Sequence, residues 1–282
     1  AAHSPVRWIE LSAGQSLGDA VNARLANSPA DWVGFYSCGT RFAPNLLLAV
    51  GDYIALHPEW RLIYTDEDAI NADGERHSPL FKPDFNLELL RSSDYTGGHF
   101  VRRDTLLAAG GSSHCTGGEN YDTVLRIVDT EGEATIGHLP DVLVHVPAAA
   151  RRQASANAAH AALVEHLARR GIAADVLPGQ IEGASQRIIY KRTAAPFVSI
   201  IIPTRNRLEL LGPCIESLLK ETPYPNWELI LVDNGSDDPA VLPYYETLCA
   251  ALPGRVQVLH HPGPFDYAAM NNRAAQKARG DY

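Results

Sequence analysis

The chain has 282 residues, with 24 lysines and arginines against 33 aspartates and glutamates, a formal charge of −9. Hydrophobic residues make up 45% and charged residues 20%, the balance of a chain that buries a core rather than staying disordered. The acidic surplus argues against a broad nucleic-acid face, and no apolar run approaches the ~20 residues of a membrane span. At roughly 150 residues per domain, the length fits one large domain or two small ones. The first residues lack the charged and apolar regions of a signal peptide. Cys38, Cys115, Cys214 and Cys249 follow no metal or disulfide spacing and read as reduced cytoplasmic thiols.

In chain order, residues 33–36 and 61–64 read as short buried strands, the second ending in the acidic run Asp66-Glu67-Asp68. Between them, Leu46, Leu47, Val50 and Ile54 recur at helical spacing over 45–57, up to Pro58. The turn formers of 71–103 predict mostly loop. A helix is expected over 121–128, a strand over 142–146, a helix over 158–170 stopped by Gly171, and a strand over 187–190. Residues 193–196 read as a linker. The run 197–202 suits a strand buried on both faces of a parallel sheet. Asn206 and Glu209 have capping-box spacing ahead of a helix burying Leu211, Ile215, Leu218 and Leu219. Strands follow at 228–232 and 256–259, with a helix opened by Asp237, Asp238 and Pro239 between them. This β-α-β-α-β order predicts a parallel sheet of the nucleotide-binding type.

Ligands of such sheets sit beyond the carboxyl ends of the strands. The loops carrying Pro203, Thr204 and Arg205, and Asp233, Asn234 and Gly235, fall there. A carboxylate could accept from a base imino group and Arg205 could reach a phosphate, although the second loop is equally readable as a plain turn into a helix. Neither the dinucleotide glycine fingerprint nor the P-loop is present.

The segments VSIIIPTRNR (198–207), CIESLL (214–219), YPNWELILVDNGS (224–236) and PFDYAAMNN (264–272) resemble the opening half of a family 2 glycosyltransferase. The resemblance implies a GT-A fold and inverting chemistry on a nucleotide-diphosphate sugar with a glycan acceptor. By position it places Pro203, Thr204, Arg205, Asp233 and Asn234 at the nucleotide, and Asn271 or Asn272 near the base or diphosphate. It further implies bacterial polysaccharide or cell-surface glycan assembly, and a cytoplasmic location, peripheral at the inner membrane through a longer protein. A divalent cation, Mg or Mn, is expected for a full-length member, held by an Asp-x-Asp segment that would lie beyond residue 282.

The segments LIYTDED (62–68), FKPDFN (81–86), Gly110-Gly111, NYDTVLR (120–126) and HLPDVLVH (138–145) resemble the later half of the same family. Residues 6–32 also align with 256–282 at an offset of 250 residues, consistent with a tandem repeat. The expected organisation is therefore the back half of a degenerate GT-A domain (1–148), a helical and strand linker (149–196) and the nucleotide-binding half of a second domain (197–282). Such halves leave sheet faces to be covered by one another or by a second copy.

In the first half, the family's metal motif falls at SCGT (37–40), which has no carboxylate, so no metal residue is assigned. Asp66 and Asp68 match a later acidic segment, on the acceptor side with His145; metal binding and a solvated turn are the other readings. The family's catalytic base falls at Asn120, whose amide cannot take a proton. Glu119 is adjacent but would project differently. The resemblance thus implies a fragment inactive alone, with a non-catalytic scaffold or glycan-binding module as the alternative.

Overall fold

The computed structural model describes residues 10, 11, 14, 16–112, 117–148, 156–181 and 185–282. Cys115 lies outside them. The chain divides into two compact units, residues 1–191 and 192–282.

In the first unit the elements are α1 (Leu17–Leu25), β1 (Trp32–Phe35), β2 (Arg41–Phe42), α2 (Leu46–Leu56), β3 (Leu62–Ile70), β4 (Arg76–Leu80) and α3 (Leu87–Ser92). There follow β5 (His99–Arg102), α4 (Arg103–Ala108), α5 (Glu119–Glu131), β6 (Ile136–Pro147), α6 (Ala156–Arg169), β7 (Ala174–Pro178) and β8 (Gln186–Tyr190). The sheet runs β1-β5-β3-β6-β2, with β4 paired to β3. Among the described residues, only β3 and β6 are parallel neighbours in it. Alternation along β3 divides the core. Leu62 and Tyr64 join Val124, Leu125 and Leu163 from α5 and α6, while Ile63 joins Leu46 and Val50 of α2.

Two expectations change here. β3 does not stop at Tyr64 but runs buried through the acidic residues to Ile70, because each acid finds a partner, as described below. Residues 71–103, expected as loop, include β4, α3 and β5. Asn86 caps α3, accepting from Leu89 N–H at 2.8 Å, which offsets the turn-rich composition.

The segment read as a linker, 149–196, divides. Helix α6 buries Ala162, Leu163 and Leu167 in the first core. Its fully buried His166 accepts from Arg91 Nε at 3.1 Å and lies 2.8 Å from Asp129.

The second unit holds β9 (Val198–Thr204), α7 (Leu208–Glu221), β10 (Trp227–Asp233), α8 (Val241–Ala251), β11 (Val256–His260) and α9 (Tyr267–Ala275). Its three strands are parallel in the order β11-β10-β9, as the sequence pattern predicts. Central β10 is buried throughout. Leu229 and Leu231 pack with Leu211 and Ile215 of α7 and Tyr245 and Leu248 of α8; Ile230 and Val232 pack with Met270 and Ala274 of α9. The strand buried on both faces is β10, not β9. Despite its apolar run, β9 is half-buried along its length, as befits its outer place in the sheet.

The Asn206–Glu209 capping box does not form. Helix α7 follows Arg207 in a left-handed conformation with no side-chain cap. The Asn206 side chain turns to the next loop, accepting from Asp237 N–H and Asp238 N–H, both at 3.0 Å. Leu211 and Ile215 are buried as expected, but Leu219 is exposed.

Candidate functional site at the strand ends

The register places Asp233 between Thr204 of β9 and His260 of β11, at the carboxyl edge of the three strands, where ligands of open parallel sheets bind. Asp233 is 2% exposed. Its Oδ1 accepts from Ser236 Oγ and from Tyr245 O–H at 3.2 Å. Ser236 N–H donates to Oδ2 at 3.2 Å, with Oδ1 slightly farther at 3.4 Å. Burial works to raise the carboxyl pKa, but the hydrogen bonds from Ser236, Tyr245 and His260 outweigh it and hold the group below its usual range. The carboxylate is thus ionised, and oriented chiefly by the neutral donors of Ser236 and Tyr245. The imidazole Nδ1 of the largely exposed His260 lies 3.5 Å from Oδ2.

The neighbouring residues take different parts. Asn234 N–H donates to Thr204 O at 2.9 Å, and its amide donates to His261 O at 2.8 Å and Gly263 O at 3.2 Å. Asn234 therefore ties three strand-end loops together. Gly235 has φ 71°, and an added Cβ would meet nothing within 4 Å, so glycine serves the left-handed turn rather than a close approach. Pro203 and Thr204 are half-buried, while Arg205 is exposed. Asn271 donates to Tyr267 O of its own helix at 2.7 Å, and Asn272 is exposed. Neither has a bond to Asp233 among the described residues.

The acidic run of β3 is built otherwise. Asp66 Oδ1 accepts from Lys82 N–H at 2.8 Å and lies 2.9 Å from His138 Nε2; the other ring nitrogen of His138 is 3.1 Å from Asp84. Lys82 Nζ donates to Glu67 at 2.9 Å and to Thr96 O at 2.8 Å. Asp68 meets His145 Nδ1 at 2.7 Å and Arg76 Nε at 2.6 Å. Asp66, Glu67, Asp68, Lys82, His138 and His145 are all buried. These groups pin the 76–84 segment and β6 onto β3. Among the described residues, no three His, Cys, Asp or Glu side chains are arranged to hold a metal ion, and the Asp66 and Asp68 carboxylates are engaged by their partners. The described residues of this run do not fit a divalent cation.

At the start of α5, Glu119 accepts from Gly117 N–H at 3.0 Å, and the Asn120 amide reaches toward Gly97 O at 3.5 Å. Asp122 pairs with Arg126 at 2.9 Å, a helix role. Sequence reasoning missed Asp94, near this point, whose carboxyl is pushed up by burial. It also missed His99, lowered to about 4 by burial, whose Nδ1 meets Gly97 O at 3.1 Å and whose buried Nε2 has no hydrogen-bond partner. The partner roles of Lys82, Asp84 and His138 were visible only as motif residues, because pairing across strands carries no signal in a single sequence.

Residues 199–282 match the family model described as "Glycosyl transferase family 2". The chain is 37% identical over 290 aligned residues to the O-antigen biosynthesis protein RfbC of Myxococcus xanthus, covering 99% of this chain and 22% of that protein. It is 34% identical to the protein y4gI of Sinorhizobium fredii, over 100% of this chain and 32% of that protein. The putative colanic acid biosynthesis glycosyl transferase WcaA of Escherichia coli is 36% identical over 31% of this chain and 30% of its own length. Residues 199–282 are thus similar to part of a family 2 glycosyltransferase domain, and the chain spans a third or less of the length of these relatives. No described helix is long and apolar enough to cross a membrane.

Proposed function

We propose that this chain is part of an inverting glycosyltransferase of bacterial polysaccharide or cell-surface glycan assembly, with residues 197–282 binding the nucleotide of a nucleotide-diphosphate sugar. The observation that carries the reading is the ionised, oriented Asp233 at the carboxyl end of β10, beside the 203–205 loop. Asp233 would accept from the base, and exposed Arg205 would meet the diphosphate. Asn272, exposed on α9, and Asn271, which donates to Tyr267 O, would lie near the base or diphosphate.

Residues 1–148 would be the later half of a degenerate GT-A domain, with Asp66, Asp68 and His145 forming an internal frame on its acceptor side. In inverting transfer the acceptor hydroxyl attacks the anomeric carbon, a base takes its proton, and the bond to the diphosphate oxygen breaks. Asn120 cannot take that proton, and the neighbouring Glu119 accepts from Gly117 N–H. Transfer therefore needs a base other than Asn120, and a divalent cation is proposed for the full-length family member. Self-association through the incomplete domains, a cytoplasmic setting and peripheral membrane association belong to the same proposal.

The amide at position 120 favours a second reading for the first unit alone, a non-catalytic module that grips glycan. Equilibrium titration of the chain with uridine, thymidine and guanosine diphosphates tests the main reading. Saturable binding to at least one of them is expected, and absence of binding to all three would refute it.

A further inference from the structure

An ionised carboxylate offers about four acceptor positions, two on each oxygen. On Asp233, Oδ1 already holds two hydroxyl donors, Ser236 Oγ and Tyr245 O–H. Oδ2 holds Ser236 N–H at 3.2 Å, and the His260 ring, on a side chain that is 62% exposed, lies 3.5 Å from the same oxygen, on the side open to solvent. The Asp233 side chain is only 4% exposed, so a ligand meets one edge of it. Tyr245 reaches it from α8 with its ring buried. Burial pushes its phenol up to about 12, so at neutral pH it is a donor.

We propose that this site takes a nucleotide whose base presents one ring N–H, uracil or thymine, in preference to guanine, because Ser236 and Tyr245 leave Asp233 a single acceptor position for a base, on Oδ2, where the base would take the place of the exposed His260 ring. The proposal rests on the nucleotide reading of this rim. Uracil and thymine each offer one imino N–H between two carbonyls, which one position satisfies. Guanine offers N1–H and N2–H side by side, a pair that matches both oxygens of an open carboxylate. Here the second donor would face an oxygen already holding two and would lose its water without a replacement. Tyr245 is thus a positioning residue, acting through Asp233.

Calorimetric titration of the chain with uridine diphosphate and guanosine diphosphate tests this, for wild type, Tyr245→Phe and Ser236→Ala. In the wild type, uridine diphosphate should bind about tenfold or more tightly than guanosine diphosphate, the worth of one lost hydrogen bond to a charged group. Tyr245→Phe keeps the buried ring and opens a position on Oδ1, and Ser236→Ala opens the other; each should narrow that ratio. A merely structural effect would weaken both ligands together and leave the ratio where it was. Equal or tighter guanosine diphosphate binding in the wild type, or an unchanged ratio in the variants, would overturn the inference while leaving the nucleotide reading intact. Failure of every nucleoside diphosphate to bind would overturn both.

Discussion

Acidic residues lie on a buried strand in each unit, and the difference is in what donates to them. In β3, Asp66, Glu67 and Asp68 face His138, Lys82, Arg76 and His145, groups that are cations or able to become so. In β10, Glu228 likewise pairs with Arg279, but Asp233 at the strand end is held chiefly by Ser236 and Tyr245, neutral donors, with the largely exposed His260 ring farther off at 3.5 Å. The first arrangement locks a frame; the second keeps a negative charge ready for a ligand. An acidic run at a strand end is therefore not a site by composition. The partners decide, and they come from other elements.

The largest effect expected from breaking this contrast is at Lys82, whose side chain is 2% exposed. Lys82→Ala removes the buried cation beside Glu67 and the donor to Thr96 O, and losing one member of a buried pair costs about 3–5 kcal/mol. Urea denaturation should show that loss in the first unit. The second unit should show no comparable loss of hydrogen-exchange protection in β10.

Next in size, Asp233→Ala removes a hydrogen bond to a charged group, worth about 1.5–3 kcal/mol. Nucleoside diphosphate affinity should then fall about 10- to 150-fold, as measured by calorimetry. Smaller again is Asn206→Ala, which frees the two backbone donors of Asp237 and Asp238. A cap-like bond of this kind is worth about 1 kcal/mol, visible as faster hydrogen exchange at those two amides.

The smallest effects are those of pH, and they run in opposite directions in the two units. Asp233 titrates below its ordinary 3.8 in the folded chain. Its stabilisation is therefore present above pH 3.8 and is lost as pH falls through the lower folded value. Asp94 is held above 3.8 by burial, so its ionisation costs stability as pH rises through the raised folded value. Hydrogen exchange followed from pH 7 down to about 3 should loosen the 233–236 turn while the 93–98 loop holds or tightens.

Much of the second unit was legible in the sequence. The apolar runs at 198–202 and 228–232, separated by a helical repeat, give the parallel sheet and the position of Asp233 directly. The depth of β9 was misread because an apolar run does not reveal whether a strand is central. The capping box failed because Asn206 found donors thirty residues away, which spacing cannot show. In the first unit, periodicity located α2, α5 and α6. It cut β3 short at Tyr64 because three consecutive acids look solvent-bound until His138, Lys82, Arg76 and His145 are brought to them by pairing and loop return.

The central claim is that the ligand-ready carboxylate of this chain is Asp233 and that those of β3 are structural. Its most direct test is calorimetric titration with uridine diphosphate of the wild type, Asp233→Ala, Asp66→Ala and Asp68→Ala, each first checked for folding. The account predicts that binding collapses in Asp233→Ala and stays near the wild-type value in folded Asp66→Ala and Asp68→Ala. Binding retained in Asp233→Ala and lost in a folded Asp66 or Asp68 variant would contradict it.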